Sequence, residues 1–242
     1  MRKIREKDMF IGGMIVFGSM IAGFFFPQLA QTTQHPLYAI MSLGAIAAGT
    51  FFALQKAQGT FRAFLLMAAI GISALIIESI GVATGFPYSS FTYGDALGEK
   101  IGNLVPWTVS IAFPPLLFIA HALGEKYTNS IFSRIILATI ILVSIDLVLD
   151  PTLTALKYWS WEKPGVYYGV PLQNFFGWVL SGLIMHTICA YIWKPKTDIS
   201  LLLMGGMVLV GFWTGAAGGF LFVLPIFIGL ILLPFFARPF FH

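Results

Sequence analysis

The sequence predicts an all-α fold, a polytopic transmembrane helix bundle of about eight helices with both termini on the cytoplasmic side. Three observations predict it. Hydrophobic residues fill 58% of the 242 positions and charged residues only 10%, against roughly 25% charged in an average soluble domain. The apolar residues gather in blocks close to the roughly 20 residues that carry a helix across a bilayer. The basic residues fall mostly on one side of those blocks.

The first block, 9–29, follows the basic stretch Met1 to Asp8 and is longer than the apolar region of a cleaved signal peptide, so it reads as a retained first helix. Further blocks lie at 36–55, 61–83, 105–123, 132–150 and 173–193. The region 199–236 has almost no polar break. Gly215, Gly218 and Gly219 predict a tight turn there, giving spans at 199–216 and 219–236, whereas one broken helix would leave seven spans. The whole chain, 1–242, reads as a single integral membrane domain.

Lys and Arg collect in short cytoplasmic loops. With this layout Arg2, Lys3, Arg5, Lys7, Lys56, Arg62, Lys126, Arg134, Lys194, Lys196 and Arg238 share one side, while only Lys100, Lys157 and Lys163 take the other. That bias supports the span order and orientation, places the chain in the cell membrane, and explains the net charge of +4 with membrane lipid and no nucleic acid as partner. Cys189, the single cysteine, lies in the sixth span and excludes an intramolecular disulfide and a thiolate metal site. Gly211, Gly215 and Gly219, at four-residue spacing, suit close helix packing. Two outer connections, 84–104 and 151–172, far exceed the usual two to eight residues of a bundle link.

Ionisable groups inside apolar spans are costly and face a bundle interior or a wet cavity. Three carboxylates qualify. Glu78 lies near the outer end of the third span. Asp146 and Asp150, four apart, share one face of the fifth helix, about 6 Å apart along its axis. Pro151 disfavours helical geometry in the residue before it, so the helix is expected to end near Asp150. All three carboxylates then sit at one depth, near the extracytoplasmic interface. Their plainer reading is that the aspartates satisfy loop amides and Glu78 pairs with a cation.

Around them the outer loops carry Tyr88, Phe91, Tyr93, Tyr158, Trp159, Trp161, Tyr167 and Tyr168, with Phe175, Phe176 and Trp178 just beyond. An interfacial aromatic belt accounts for some of these. Their clustering on one side, around three acids, points to a pocket in addition. Asn174 either binds water there or caps the sixth helix.

The runs Asp146 to Pro151, Tyr158-Trp159-Ser160-Trp161 and Gly169 to Trp178 resemble the signature of the carotenoid biosynthesis membrane protein family that contains the carotenoid 1,2-hydratases. The run Glu78 to Pro87, continuing to Tyr93, Asp95, Leu97 and Gly98, and the pair Val105-Pro106, resemble it too. The likeness is detailed over about 70–180. Ser89 stands where a glycine is expected, Phe91 where a tyrosine is, and Phe113 where a tryptophan is usual. These departures bear on which end group or chain length fits.

The resemblance implies hydration of the terminal double bond of an acyclic carotenoid, giving a tertiary alcohol. The substrate partner is a long apolar carotenoid drawn from the bilayer. Such chemistry needs a protonated acid, a stabilised tertiary cation, and water. Two neighbouring carboxylates resist joint ionisation, so such a pair can hold a proton. Asp150 or Asp146 is expected as general acid and Glu78 as the group that orients or deprotonates water. Tyr88, Tyr93, Trp159, Trp161, Asn174 and Trp178 are expected to bind substrate, the rings by attracting the cation. No cofactor and no metal is expected, because glycine-rich phosphate loops are lacking and His35, His121, His186 and His242 are scattered along the chain. Two alternatives stand beside hydration: a transporter or channel using the acids for protons or cations, and a cyclase or isomerase diverting the same cation.

Overall fold

The computed structural model describes residues 6–33, 35–195 and 197–241, with side-chain surroundings from 11 to 237. Arg2, Lys3, Arg5, Lys196 and His242 lie outside the described residues, as do the side chains of Lys7 and Arg238.

The described residues form eight helices: α1 (Glu6–Thr32), α2 (Pro36–Gln58), α3 (Thr60–Thr84), α4 (Val109–Tyr127), α5 (Ile131–Ala155), α6 (Leu172–Ile192), α7 (Ser200–Gly219) and α8 (Val223–Phe241). Local signals set several ends. The His35 imidazole accepts the Leu37 amide at 3.2 Å and Pro36 opens α2, where its missing N–H costs nothing. Gly85, at φ 74, closes α3 with its amide on the Gly81 carbonyl, the left-handed cap that glycine adopts without strain. Ser130 caps α5 by accepting the Ser133 amide at 3.2 Å.

Six helices, including α2, α3, α5, α6 and α7 and the Ile11–Thr32 part of α1, are long and apolar enough to cross a bilayer. Their outward faces carry exposed Phe17, Phe61, Phe64, Phe132 and Phe176, as a lipid-facing surface requires. Central α4 differs. It holds Pro114, Pro115, His121, Glu125 and Lys126 and is buried along most of its length, packing on α2, α3, α5 and α7. Pro114 has no N–H for the Ser110 carbonyl four residues back. Gly71 of α3 lies against that carbonyl, so close that a Cβ there would come within 2.5 Å of its oxygen.

Helix α1 packs chiefly on α7 through the predicted small residues. A Cβ on Gly23 would lie 1.8 Å from the Phe212 carbonyl oxygen, and one on Gly215 would lie 2.0 Å from that of Met20, so the backbones touch. Gly211, Gly215 and Gly219 meet Ser19, Met20 and Phe24 in increasing order, so the two helices run parallel. At one end of the bundle Gln58 reaches the Lys194 carbonyl and Thr197. At the other, Tyr168 meets Leu224 and Gln173 meets Gly85.

Four features depart from the sequence reading. The fourth helix starts at Val109, not 105, because Val105–Pro106 (β3) pairs antiparallel with Lys100–Ile101 (β2). The fifth runs through Pro151 to Ala155. Pro151 cannot donate to the Leu147 carbonyl, and the Tyr167 hydroxyl donates to it instead at 3.0 Å. The last turn falls at 220–222, with Leu221 at φ 58, so α8 begins at Val223, later than expected. Finally, the two long connections are not plain loops. Phe91–Tyr93 (β1) and Trp159–Trp161 (β4) join them as an antiparallel ribbon in the register Phe91 to Trp161 and Tyr93 to Trp159.

Candidate active site

The ribbon lays its alternate side chains inward. Phe91, Tyr93 and Trp161 are buried while Thr92 and Ser160 face out, the two-residue period of a strand. Beneath it, α3, α5 and α6 deliver Glu78, Asp146, Asp150 and Asn174, all 5% exposed or less. A small cavity of about 40 Å³ is lined by Glu78, Tyr88, Phe91, Tyr93, Asp150, Trp159, Trp161, Asn174 and Trp178. Of the residues expected at the site, only Asp146 lies outside this lining.

The carboxylates are held differently. The Tyr93 hydroxyl donates to Glu78 Oε2 at 3.0 Å. Asp150 takes three donors: Trp159 Nε1 at 2.7 Å and Thr154 Oγ1 at 3.1 Å on Oδ1, and Asn174 Nδ2 at 2.6 Å on Oδ2. The same amide reaches Asp146 Oδ2 at 3.3 Å, so Asn174 bridges the two aspartates. It is not the cap of α6, a place taken by Pro171. Asp146 Oδ1 is buried with no partner among the described residues. Among the described residues no cation pairs with Glu78 and no loop backbone amide bonds the aspartates, so the plainer sequence reading of the acids finds no support in these contacts.

Aromatic contacts set the walls. Trp178 stacks on Phe113 at 5.0 Å with planes 9° apart, Phe91 lies on Trp161 at 5.1 Å, and Trp161 Nε1 donates to Thr154 at 3.2 Å. Tyr88 is 1% exposed, its ring held between two glycines. A Cβ on Gly81 would stand 2.7 Å from one ring carbon, and one on Gly177 2.4 Å from another. The Tyr88 hydroxyl has no partner within hydrogen-bond distance among the described residues, with Glu78 and Ser181 its polar neighbours. Burial, then the Glu78 carboxylate, pushes the Tyr93 and Tyr88 phenols well above their ordinary range, so both remain protonated.

Thr154, Gly81 and Gly177 belong to the site and escaped the sequence reading. Thr154 follows Asp150 by one turn, a neighbour visible only once the helix is known to pass Pro151. The glycines act through the space they leave.

The histidines need one correction. His121 and His186 are not scattered: their Nδ1 atoms lie 3.3 Å apart and the rings stack at 5.4 Å, with both residues fully buried. Helix α6 separates His186 from Asn174 by roughly 18 Å, so this pair stands well away from the carboxylates. Trp193 covers His121 and donates to Glu125. Among the described residues no group of three or more His, Cys, Asp or Glu converges as a metal site would need.

A family model described as carotenoid biosynthesis protein matches residues 34–236. A bisanhydrobacterioruberin hydratase from Haloarcula japonica is 40% identical over 129 residues, 51% of this chain and 43% of that protein. The chain thus spans less than half the length of the curated relative it matches. No solved structure matches the chain.

Proposed function

The chain belongs to the carotenoid biosynthesis protein family, and from that premise we propose that it hydrates the terminal double bond of an acyclic carotenoid, as the name of its Haloarcula relative suggests. The observation that carries this reading is the pairing of two differently held carboxylates, Glu78 and Asp150, on one ring-walled cavity at the end of an apolar bundle.

Hydration requires a proton at the less substituted alkene carbon, shelter for a tertiary cation, and a water delivered to it. Asp150 accepts three hydrogen bonds, two of them from N–H groups that can only donate. It is therefore set as an acceptor, suited to take a proton from the attacking water and to stabilise the cation electrostatically. Glu78 accepts from the Tyr93 hydroxyl, with the Tyr88 phenol beside it; with no N–H group donating to it among the described residues, it is the better proton donor. These roles reverse the order favoured by the sequence, and the donor count is the reason. The rings of Tyr93, Trp159, Trp161 and Trp178 offer faces to the cation. After water capture, Asp150 holds the proton that Glu78 has lost, and a water in the cavity returns it. The net change is the addition of one water.

The cavity has room for about one water, so the carotenoid end must part the ring walls as it enters from the bilayer. Lys56, Arg62, Lys126 and Lys194 at the opposite end support, by the positive-inside rule, a reading with cytoplasmic termini and the site near the extracytoplasmic interface of the cell membrane.

The test is turnover in vesicles loaded with an acyclic carotenoid and suspended in heavy-oxygen water. The expected product is an alcohol carrying the heavy oxygen, formed at the same rate with or without EDTA. A cyclised or isomerised product without that oxygen would replace hydration with another fate of the cation.

A further inference from the structure

Beside the Phe91–Trp161 end of the β1–β4 ribbon lies a second and larger hollow, of about 370 Å³, lined by Thr84, Gly85, Phe86, Ser89, Ser90, Glu162, Lys163 and Gln173. Apart from Phe86 and Gly85, its wall is hydroxyls, a carboxamide and two opposite charges, Glu162 and Lys163. A hydrocarbon end gains nothing there, since polar groups denied water lose more than apolar contact returns. Water fits it.

The hollow and the cavity share a wall one residue thick. At three places one residue lines the hollow and its chain neighbour lines the cavity: Ser90 beside Phe91, Glu162 beside Trp161, and Gln173 beside Asn174. Ser90, Glu162 and Gln173 are exposed, while Phe91, Trp161 and Asn174 are buried. The Glu162 amide bonds the Ser90 carbonyl at 2.9 Å, which fixes the ribbon, and Gln173 Nε2 bonds the Gly85 carbonyl at 3.3 Å, which closes the seam between α3 and α6. Gly85 keeps the seam narrow, because a Cβ there would stand 2.9 Å from Ser90 Oγ.

We propose that this hollow is the vestibule through which water reaches the carboxylates, passing the seam that Gln173 and Ser90 close, while the carotenoid arrives separately from the bilayer. The proposal rests on the hydratase reading but concerns a different surface. Two reactants of opposite polarity then enter by two doors, and water is admitted one molecule at a time to a cavity that holds about one.

The experiment uses Ser90→Cys in the full chain. Native Cys189, the only cysteine, is fully buried, so an impermeant thiosulfonate marks position 90 alone. The same protein is compared before modification, after addition of a small or a bulky adduct, and after its removal by reductant. Two readouts are taken. One is deuterium exchange of the Trp159 indole N–H, which lies inside the cavity on Asp150; the other is hydration of an acyclic carotenoid. The bulky adduct is expected to slow indole exchange at least tenfold, to lower kcat by a similar factor with KM for carotenoid within twofold, and to be reversed by reductant. Unchanged exchange overturns the vestibule whatever happens to turnover. A raised KM at unchanged kcat would also overturn it, making the hollow a substrate door. Slowed exchange in a protein that hydrates nothing would uphold the vestibule and sink the hydratase reading.

Discussion

Asp150 takes three hydrogen bonds, two of them from N–H groups, while Glu78 takes the Tyr93 hydroxyl, and the proposed hydration gives the two acids unequal tasks on that difference. Glu78→Gln and Asp150→Asn are each expected to lower hydration by roughly a hundred- to ten-thousand-fold, the usual worth of a positioned acid or base, without loss of folded protein in a detergent melt. Tyr93→Phe keeps the ring and removes the donor to Glu78. It should cost about tenfold to a hundredfold in kcat, the scale of one hydrogen bond to a charged group. A Tyr93→Phe protein as active as the parent would remove that bond from the mechanism. Ser89 sits at φ 97, a conformation costly for any residue but glycine, at the position where the family likeness led us to expect glycine. Ser89→Gly should therefore stabilise the protein by about 1 kcal/mol, read as a higher Tm. The acids and most of the rings were legible in the sequence because polar groups within apolar spans and dense interfacial aromatics are visible as such. Their division of labour was not, since it depends on which donors a fold brings to each oxygen.

Among the elements, α5 shows most clearly where sequence reasoning stops. Proline after Asp150 argues for a helix end, yet the helix continues because Tyr167, from the following loop, satisfies the Leu147 carbonyl that Pro151 cannot. That repair comes from twenty residues downstream and leaves no local signal. Tyr167→Phe should orphan the carbonyl, lower stability by about 1–3 kcal/mol, and loosen the last turn, where Asp150 and Thr154 meet. A melt and amide exchange over 147–155 would check this, and a silent variant would deny the repair. The β1–β4 ribbon was half visible: Phe91-Thr92-Tyr93 and Trp159-Ser160-Trp161 alternate as strands do, but nothing local says that they pair. Gly177→Ala would drive a Cβ to 2.4 Å from the Tyr88 ring and 3.0 Å from the Pro87 backbone. Activity should fall sharply, with a stability loss of roughly 1–3 kcal/mol from overpacking.

Across the whole molecule, composition and block length predict a helix bundle of seven or eight spans, because a bilayer leaves a chain few other ways to satisfy its backbone, and Gly215, Gly218 and Gly219 tip the count to the eight helices found. They do not reveal which helix is enclosed. Central α4, with its prolines and His121, is covered by its neighbours, and its histidine meets His186 of α6 in a buried pair that linear spacing cannot show. The arrangement puts a polar, ring-walled site at one end of an apolar bundle, where a membrane-dissolved hydrocarbon and water can meet. The most direct test of this account is pigment analysis in a bacterium that makes acyclic carotenoids, with the parent chain compared against Glu78→Gln and Asp150→Asn at equal membrane abundance. The account predicts pigments heavier by one water per reacted end in the parent and unchanged pigments in both variants. Hydrated pigment persisting at parental levels in either variant would contradict it.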